Sequence, residues 1–203
     1  MKPVVHVVDD DESFLRSVSR LLRASGYEVA TFSSVQSFLQ REAPSAPGCV
    51  VTDLQMPRQD GLDLQEALAR SRNPLPVVFL TSKGDISTSV RAMRGGAEDF
   101  LTKRAPKAQL LEAVERALKR GQRERQERER GASAEAKRNS LSPRERQVLS
   151  GVARGLLNKE IADELGVAER TVKLHRSNLS AKVGLRSPAE LALFARESGV
   201  AGA

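Results

Sequence analysis

The chain has no Trp, one Tyr, one Cys and two His among its 203 residues. Its lone Cys49 has no partner for an internal disulfide, which excludes a disulfide scaffold. His175 has no His or Cys close by in sequence, so a metal-binding role for it is not expected. Long hydrophobic runs are also missing. The longest early one, Val4 to Val8, is interrupted by His6 and ends against three Asp residues. A transmembrane span or a secretory signal is therefore not expected, and a soluble protein of a reducing, cytoplasmic compartment is. Aromatics are scarce at 3%, yet 39% apolar and 29% charged residues exclude disorder throughout, collagen and low-complexity chains.

Charge is present and unevenly placed. The net value is +7; residues 1–120 hold 17 Lys/Arg against 15 Asp/Glu, and residues 121–203 hold 16 against 11. The shorter C-terminal part is the basic one, a distribution suited to a polyanion partner. At about 150 residues per domain, the length allows one large domain or two modest ones.

Within residues 1–120, five β-branched runs read as strands: Val4 to Val8, Glu28 to Thr31, Cys49 to Thr52, Val77 to Leu80 and Asp99 to Leu101. Helix-period stripes alternate with them, as in Phe14, Leu15, Val18, Leu21 and Leu22, or Leu110, Leu111, Val114 and Leu118. Strand and helix alternation of this kind predicts an α/β domain with a doubly wound five-stranded parallel sheet. Residues 121–140 lose the apolar stripe. They read as a charged, partly helical linker supported by Glu124 with Arg128 and Arg125 with Glu129, fraying near Gly131. Residues 141–203 predict a small all-α domain of four helices, with capping boxes at Ser142-Pro143-Arg144-Glu145 and Ser187-Pro188-Ala189-Glu190.

Asp9, Asp10 and Asp11 follow the first strand directly, and Asp53 follows the third. In an open α/β sheet the ligand site lies beyond the carboxyl ends of the strands, so neighbouring first and third strands would gather these acids. Clustered carboxylates need a cation, and hard oxygens with few other ligands suit Mg²⁺. Thr81 and Lys103, just past the fourth and fifth strands, project at the same edge. Lys83, two residues beyond Thr81, is expected to face solvent.

In the basic part, residues 159–165, a turn at Gly166-Val167-Ala168 and residues 169–183 predict a helix-turn-helix. On a helical wheel Val172, Leu179 and Val183 share one side and Lys173, Ser177, Arg170 and Leu174 the other. That exposed face suits the DNA major groove, with Lys173 donating to guanine acceptors and Leu174 touching a thymine methyl. Arg176, Thr171 and Lys159 are placed for phosphates.

The residues Val8-Asp9-Asp10, Asp53-Leu54-Gln55-Met56-Pro57 with Asp60-Gly61, Thr81, and Phe100-Leu101-Thr102-Lys103 resemble the receiver domain of bacterial response regulators across residues 3–119. The resemblance implies a flavodoxin-like fold and makes Asp53 the phosphoacceptor from a sensor histidine kinase. Mg²⁺ is then held by Asp9, Asp10, Asp53 and the Gln55 backbone carbonyl, with Lys103 on the phosphoryl oxygens. Asp11 is then a helix N-cap. Thr81 and Phe100 resemble the family's switch pair, and the face formed by residues 85–95 and 98–101 resembles its dimer surface. One departure is Arg104, where the family typically has Pro; it makes a cis bond after Lys103 improbable.

Leu141 to Leu149, Asn158-Lys159-Glu160-Ile161-Ala162, Leu165-Gly166-Val167, Thr171-Val172-Lys173-Leu174-His175 and Lys182-Val183-Gly184 are similar to the LuxR-type DNA-binding domain over residues 141–197. Together the two resemblances imply a two-component regulator of the FixJ/NarL-like type, not an enzyme. It would act on DNA as a phosphorylation-dependent homodimer, through the helix at about 188–197, with RNA polymerase as a further partner. Two rival readings stay open. A Mg²⁺-dependent phosphohydrolase would use Asp53 covalently but lacks a flanking His, and a constitutive DNA binder would use its first domain only for protein contacts, as Arg104 allows.

Overall fold

The computed structural model describes residues 2–40, 47–71, 73–82 and 85–200. Lys83 lies outside them. The chain divides into two compact units, Met1–Arg125 and Gln126–Ala203.

In the first unit, β1 (Val4–Val8), β2 (Glu28–Phe32), β3 (Gly48–Thr52), β4 (Val77–Thr81) and β5 (Asp99–Thr102) form one parallel sheet in the order β2-β1-β3-β4-β5. Residues alternate between its faces. Val5, Val7, Cys49, Val51, Val78 and Leu80 pack with Leu15, Val18 and Leu22 of α1 (Glu12–Ala24) and with Leu110, Ala113, Val114 and Ala117 of α5 (Lys107–Asn139). Val8, Val50, Val77 and Phe79 face α2 (Val35–Leu39), α3 (Gly61–Ala69) and α4 (Ile86–Arg94) through Val35, Phe38, Leu62, Leu64, Leu68 and Ala92. Both faces are thus covered, which is why the strands read as near-continuous apolar runs. The predicted doubly wound α/β architecture and the helical second unit are what the structure has. Several strand ends extend one residue past their predicted bounds; Thr81, expected just past β4, is its last residue.

The predicted fraying near Gly131 is overturned. Helix α5 continues from Lys107 through Gly131 to Asn139. A mid-helix Gly opposes this by about 1 kcal/mol relative to Ala, but tertiary contacts beyond it outweigh the local preference. Ala134 is buried in the second unit's core, and Arg138 Nη1 donates to the Ser198 carbonyl at 2.9 Å. Nearer the first core, Arg120 Nε donates to Glu124 Oε1 at 2.7 Å.

The second unit adds α6 (Pro143–Ala153), α7 (Asn158–Leu165), α8 (Glu169–Val183) and α9 (Pro188–Glu197) around Leu149, Ile161, Val172, Leu179, Leu191 and Phe194. Both predicted capping boxes are formed, at Ser142 with Glu145 and at Ser187 with Glu190, each with Pro at the first helical position. Gly166 ends α7 in the left-handed region at φ 64°, where L side chains are disfavoured, and so sets the turn into α8. Glu145 is almost fully buried. Its carboxylate accepts from the Ser142 N–H and from Lys182 Nζ, both at 2.7 Å, joining the start of α6 to the end of α8.

Candidate functional site

Strands β1 and β3 are paired in register, Val8 opposite Thr52, so their next residues, Asp9 and Asp53, emerge side by side at the carboxyl edge. The Asp53 N–H donates to the Val8 carbonyl at 2.9 Å, which fixes that emergence. Asp9 and Asp53 are buried and Asp10 is exposed; one carboxylate oxygen from each lies within 4.8 Å of the others. Asp53 Oδ1 accepts from the Leu54 N–H at 2.6 Å and Asp9 Oδ1 from the Asp11 N–H at 2.9 Å. The start of α3 presses close as well: a Cβ on Gly61 would stand 2.4 Å from the Asp53 carbonyl oxygen, so only Gly fits there.

Lys103 follows β5 directly, its N–H donating to the Thr81 carbonyl at 2.8 Å. Its Nζ lies 2.6 Å from Asp9 Oδ2 and 2.8 Å from Asp53 Oδ2, with the side chain only 13% exposed. Burial works to lower the Lys103 pKa, but the hydrogen bonds and charges of Asp53 and Asp9 outweigh it and hold it above its ordinary value. Burial pushes the Asp9 carboxyl up in spite of that ammonium. One lysine facing three carboxyl groups leaves negative charge in excess. That donor set, all hard oxygen with Asp10 open to solvent, fits a dication that keeps part of its water.

Thr81 is buried at the same edge, and Phe100 is half-buried on β5 with its ring 5.8 Å from that of Phe79. Gln55 is exposed, its N–H 3.4 Å from Asp53 Oδ1. Asp11 caps α1 through bonds from the Ser13 and Phe14 N–H groups. The Lys103–Arg104 peptide is trans, as expected from Arg104. Phe14 escaped sequence reasoning: its ring centroid lies 4.4 Å from Lys103 Nζ. It looked like a core position of the α1 stripe, and nothing in its spacing links it to residue 103.

On α8, Val172, Leu179 and Val183 are buried, while Lys173, Leu174, Ser177 and Arg170 are exposed and Thr171 and Arg176 half-buried. Leu174 is 59% exposed, unusual for Leu on a helix that has a core-facing side. Lys173 Nζ lies 2.9 Å from Glu169 Oε1. Arg176 Nη1 donates to Asn158 Oδ1 of α7 at 2.7 Å, a link the sequence did not suggest, and Lys159 beside it is exposed.

A doubly wound domain with a lysine-bridged carboxylate cluster at its switch edge, carried with a helix-turn-helix on one chain, defines a signal-receiving module coupled to a DNA-reading one. Residues 5–115 match the response regulator receiver domain, and residues 139–195 match the family of bacterial regulatory proteins, luxR family. The chain is 42% identical over 199 residues to nodulation protein W of Bradyrhizobium diazoefficiens, covering 98% of this chain and 88% of the relative. The solved structure of response regulator StyR matches with a TM-score of 0.88 at 45% identity, over 97% of this chain and 100% of that one. Full-length FixJ from B. japonicum matches with a TM-score of 0.59 at 35% identity, over 98% of both chains. The chain belongs to the response regulators that join a receiver domain to a LuxR-type DNA-binding domain, and its relatives are transcriptional regulators. No helix among the described residues is long and apolar enough to cross a membrane.

Proposed function

We propose that the protein is a cytoplasmic, non-enzymatic transcription regulator switched by phosphorylation of Asp53. In this reading an Asp53 carboxylate oxygen attacks the phosphorus of a phosphohistidine on a sensor histidine kinase; the new O–P bond forms as the P–N bond breaks and the imidazole leaves with the electron pair. The observation that carries it is Lys103 Nζ held between Asp9 and Asp53, where an ammonium can meet charge developing on the transferring oxygens. Asp9, Asp10, Asp53 and the Gln55 backbone carbonyl would hold Mg²⁺, which supplies charge neutralisation at the phosphoryl oxygens. Thr81 and Phe100 are the switch pair, the buried hydroxyl turning to the phosphoryl group and the ring moving behind it. The receiver spans 1–120, the DNA-reading domain 141–203, and the helical segment 121–140 joins them. Lys173, Leu174, Ser177 and Arg170 read base edges, and Arg176, Thr171 and Lys159 hold phosphates. Phosphorylation favours a homodimer that binds DNA and works with RNA polymerase, through a coupling of about 1–3 kcal/mol.

The test is Asp53→Asn. The isosteric amide is no nucleophile, so incubation with acetyl phosphate and Mg²⁺ is expected to add one phosphoryl mass to the parent protein and none to the variant. Phosphorylation retained on another aspartyl side chain would refute the assignment.

A further inference from the structure

We propose that Phe14 is a positioning residue for phosphoryl transfer, its ring holding the Lys103 ammonium at the acid site; this rests on the reading of Asp53 as phosphoacceptor. Lys103 must carry a charge at the end of a flexible four-carbon stem into a site where its side chain is only 13% exposed. Two of its contacts are the Asp9 and Asp53 carboxylates, 2.6 and 2.8 Å away. Both belong to groups whose charge is spent during the reaction, Asp53 on the new O–P bond and Asp9 on the cation. The third contact is the Phe14 ring, 4.4 Å from Nζ, well within the range of a cation–π attraction. That attraction comes from the ring quadrupole and does not change when carboxylates change partners.

The ring itself is held in place. Phe14 lies in the first turn of α1, where its N–H donates to Asp11 Oδ1 at 3.1 Å, and its side chain packs against the first core beside the α1 stripe. Asp11, the third of the consecutive acids, thus acts on the site through the helix cap rather than as a ligand. On the other side, Arg104 follows Lys103 without the fixed φ a proline would supply, so the ammonium depends more on its side-chain contacts. The pocket therefore has a fixed backbone anchor for Lys103, the bond to Thr81, and a fixed anchor for its charge, the ring of Phe14.

The test uses the full chain and fluoroberyllate, a phosphoryl mimic, titrated by calorimetry in saturating Mg²⁺, with Mg²⁺ alone titrated separately. Phe14→Leu keeps apolar bulk without the quadrupole and is expected to weaken fluoroberyllate binding roughly three- to tenfold. Affinity for Mg²⁺ alone is expected to stay level or rise, because a looser ammonium competes less for Asp9 and Asp53. Phe14→Tyr restores an aromatic face and is expected to match the parent, and Phe14→Met serves if the Leu variant does not fold. Parent-like fluoroberyllate binding by the Leu or Met variant overturns the proposal. So does a joint loss of Mg²⁺ and fluoroberyllate affinity, which signals lost packing, or a Tyr variant as weak as Leu. If the parent protein itself binds no fluoroberyllate, the reading of Asp53 fails, and this inference with it.

Discussion

Two glycines ten positions apart on α5 should respond differently to the same substitution, one gaining stability and the other not. In a helix interior Gly→Ala is worth about 1 kcal/mol of stabilisation, from backbone entropy and helix propensity, wherever the added methyl meets nothing. At Gly131 a Cβ has nothing within 4 Å, and the residue is exposed. Gly131→Ala is expected to stabilise the protein by about 1 kcal/mol. At Gly121 the Cβ would stand 2.8 Å from the Gly48 carbonyl oxygen and 3.1 Å from Pro76 Cδ. Overpacking of that kind costs about 1–3 kcal/mol, so Gly121→Ala is expected to be neutral to destabilising, by up to about 2 kcal/mol net. The assay is urea unfolding followed by far-UV circular dichroism, with Tyr27 fluorescence reporting the first unit alone, since it is the only Tyr and there is no Trp. Separate transitions of the two units are fitted separately. A neutral or destabilising Gly131→Ala would mean that α5 does not run through residue 131 in solution. A stabilising Gly121→Ala would refute the close approach of α5 to β3.

Asp10→Ala is expected to weaken Mg²⁺ binding and slow phosphorylation by acetyl phosphate while leaving Asp53 the acceptor; unchanged Mg²⁺ affinity by calorimetry would remove Asp10 from the metal site. Lys173→Ala is expected to reduce discrimination between specific and scrambled duplexes by about 1–3 kcal/mol, whereas Arg176→Ala lowers affinity for both and reduces the salt slope by about one; reversed roles would show that α8 is rotated from the proposed docking. Burial opposes ionisation of Glu145, but its bonds from Lys182 and Ser142 hold its pKa below the ordinary 4.5, so its stabilisation is present above that value and is lost as pH falls through the folded-state value. Glu145→Gln is therefore expected to cost about 1–2 kcal/mol at neutral pH, tempered by the partly exposed Lys182, and little in acid; equal costs in urea melts at pH about 7 and about 3 would show that the charge contributes nothing.

The sheet was legible because both of its faces are covered, so its central strands appear as near-continuous apolar runs such as Val77 to Leu80. The acid cluster was legible because Asp9, Asp10 and Asp53 sit at strand ends, where position in sequence translates directly into position at the sheet edge. The course of α5 past Gly131 was not, because its support comes from Ala134 in the second unit's core and from Arg138 on the Ser198 carbonyl, contacts between distant segments that a local pattern of Arg and Glu does not display. Phe14 over Lys103 and Asn158 on Arg176 were hidden for a related reason. Each joins an ordinary helical residue to a candidate site residue on another element, and neither pair leaves a period or spacing to read.

The sheet order also governs the sequence of events as the chain folds. Val4 of the first strand aligns with both Glu28 and Gly48, so β1 gains its hydrogen bonds only after two long loops have closed. The helices of the second unit begin on bonds between residues three apart, Ser142 with Glu145 and Ser187 with Glu190. Loop closure is an entropic charge met before any parallel pairing is gained, so on dilution from denaturant the helical unit is expected to form before the sheet. On the ribosome the chain emerges in the other direction, and the slow sheet has a head start while the fast helices are still being made. Chain order thus narrows, during synthesis, the interval in which a finished DNA-reading unit accompanies an unfinished acid site.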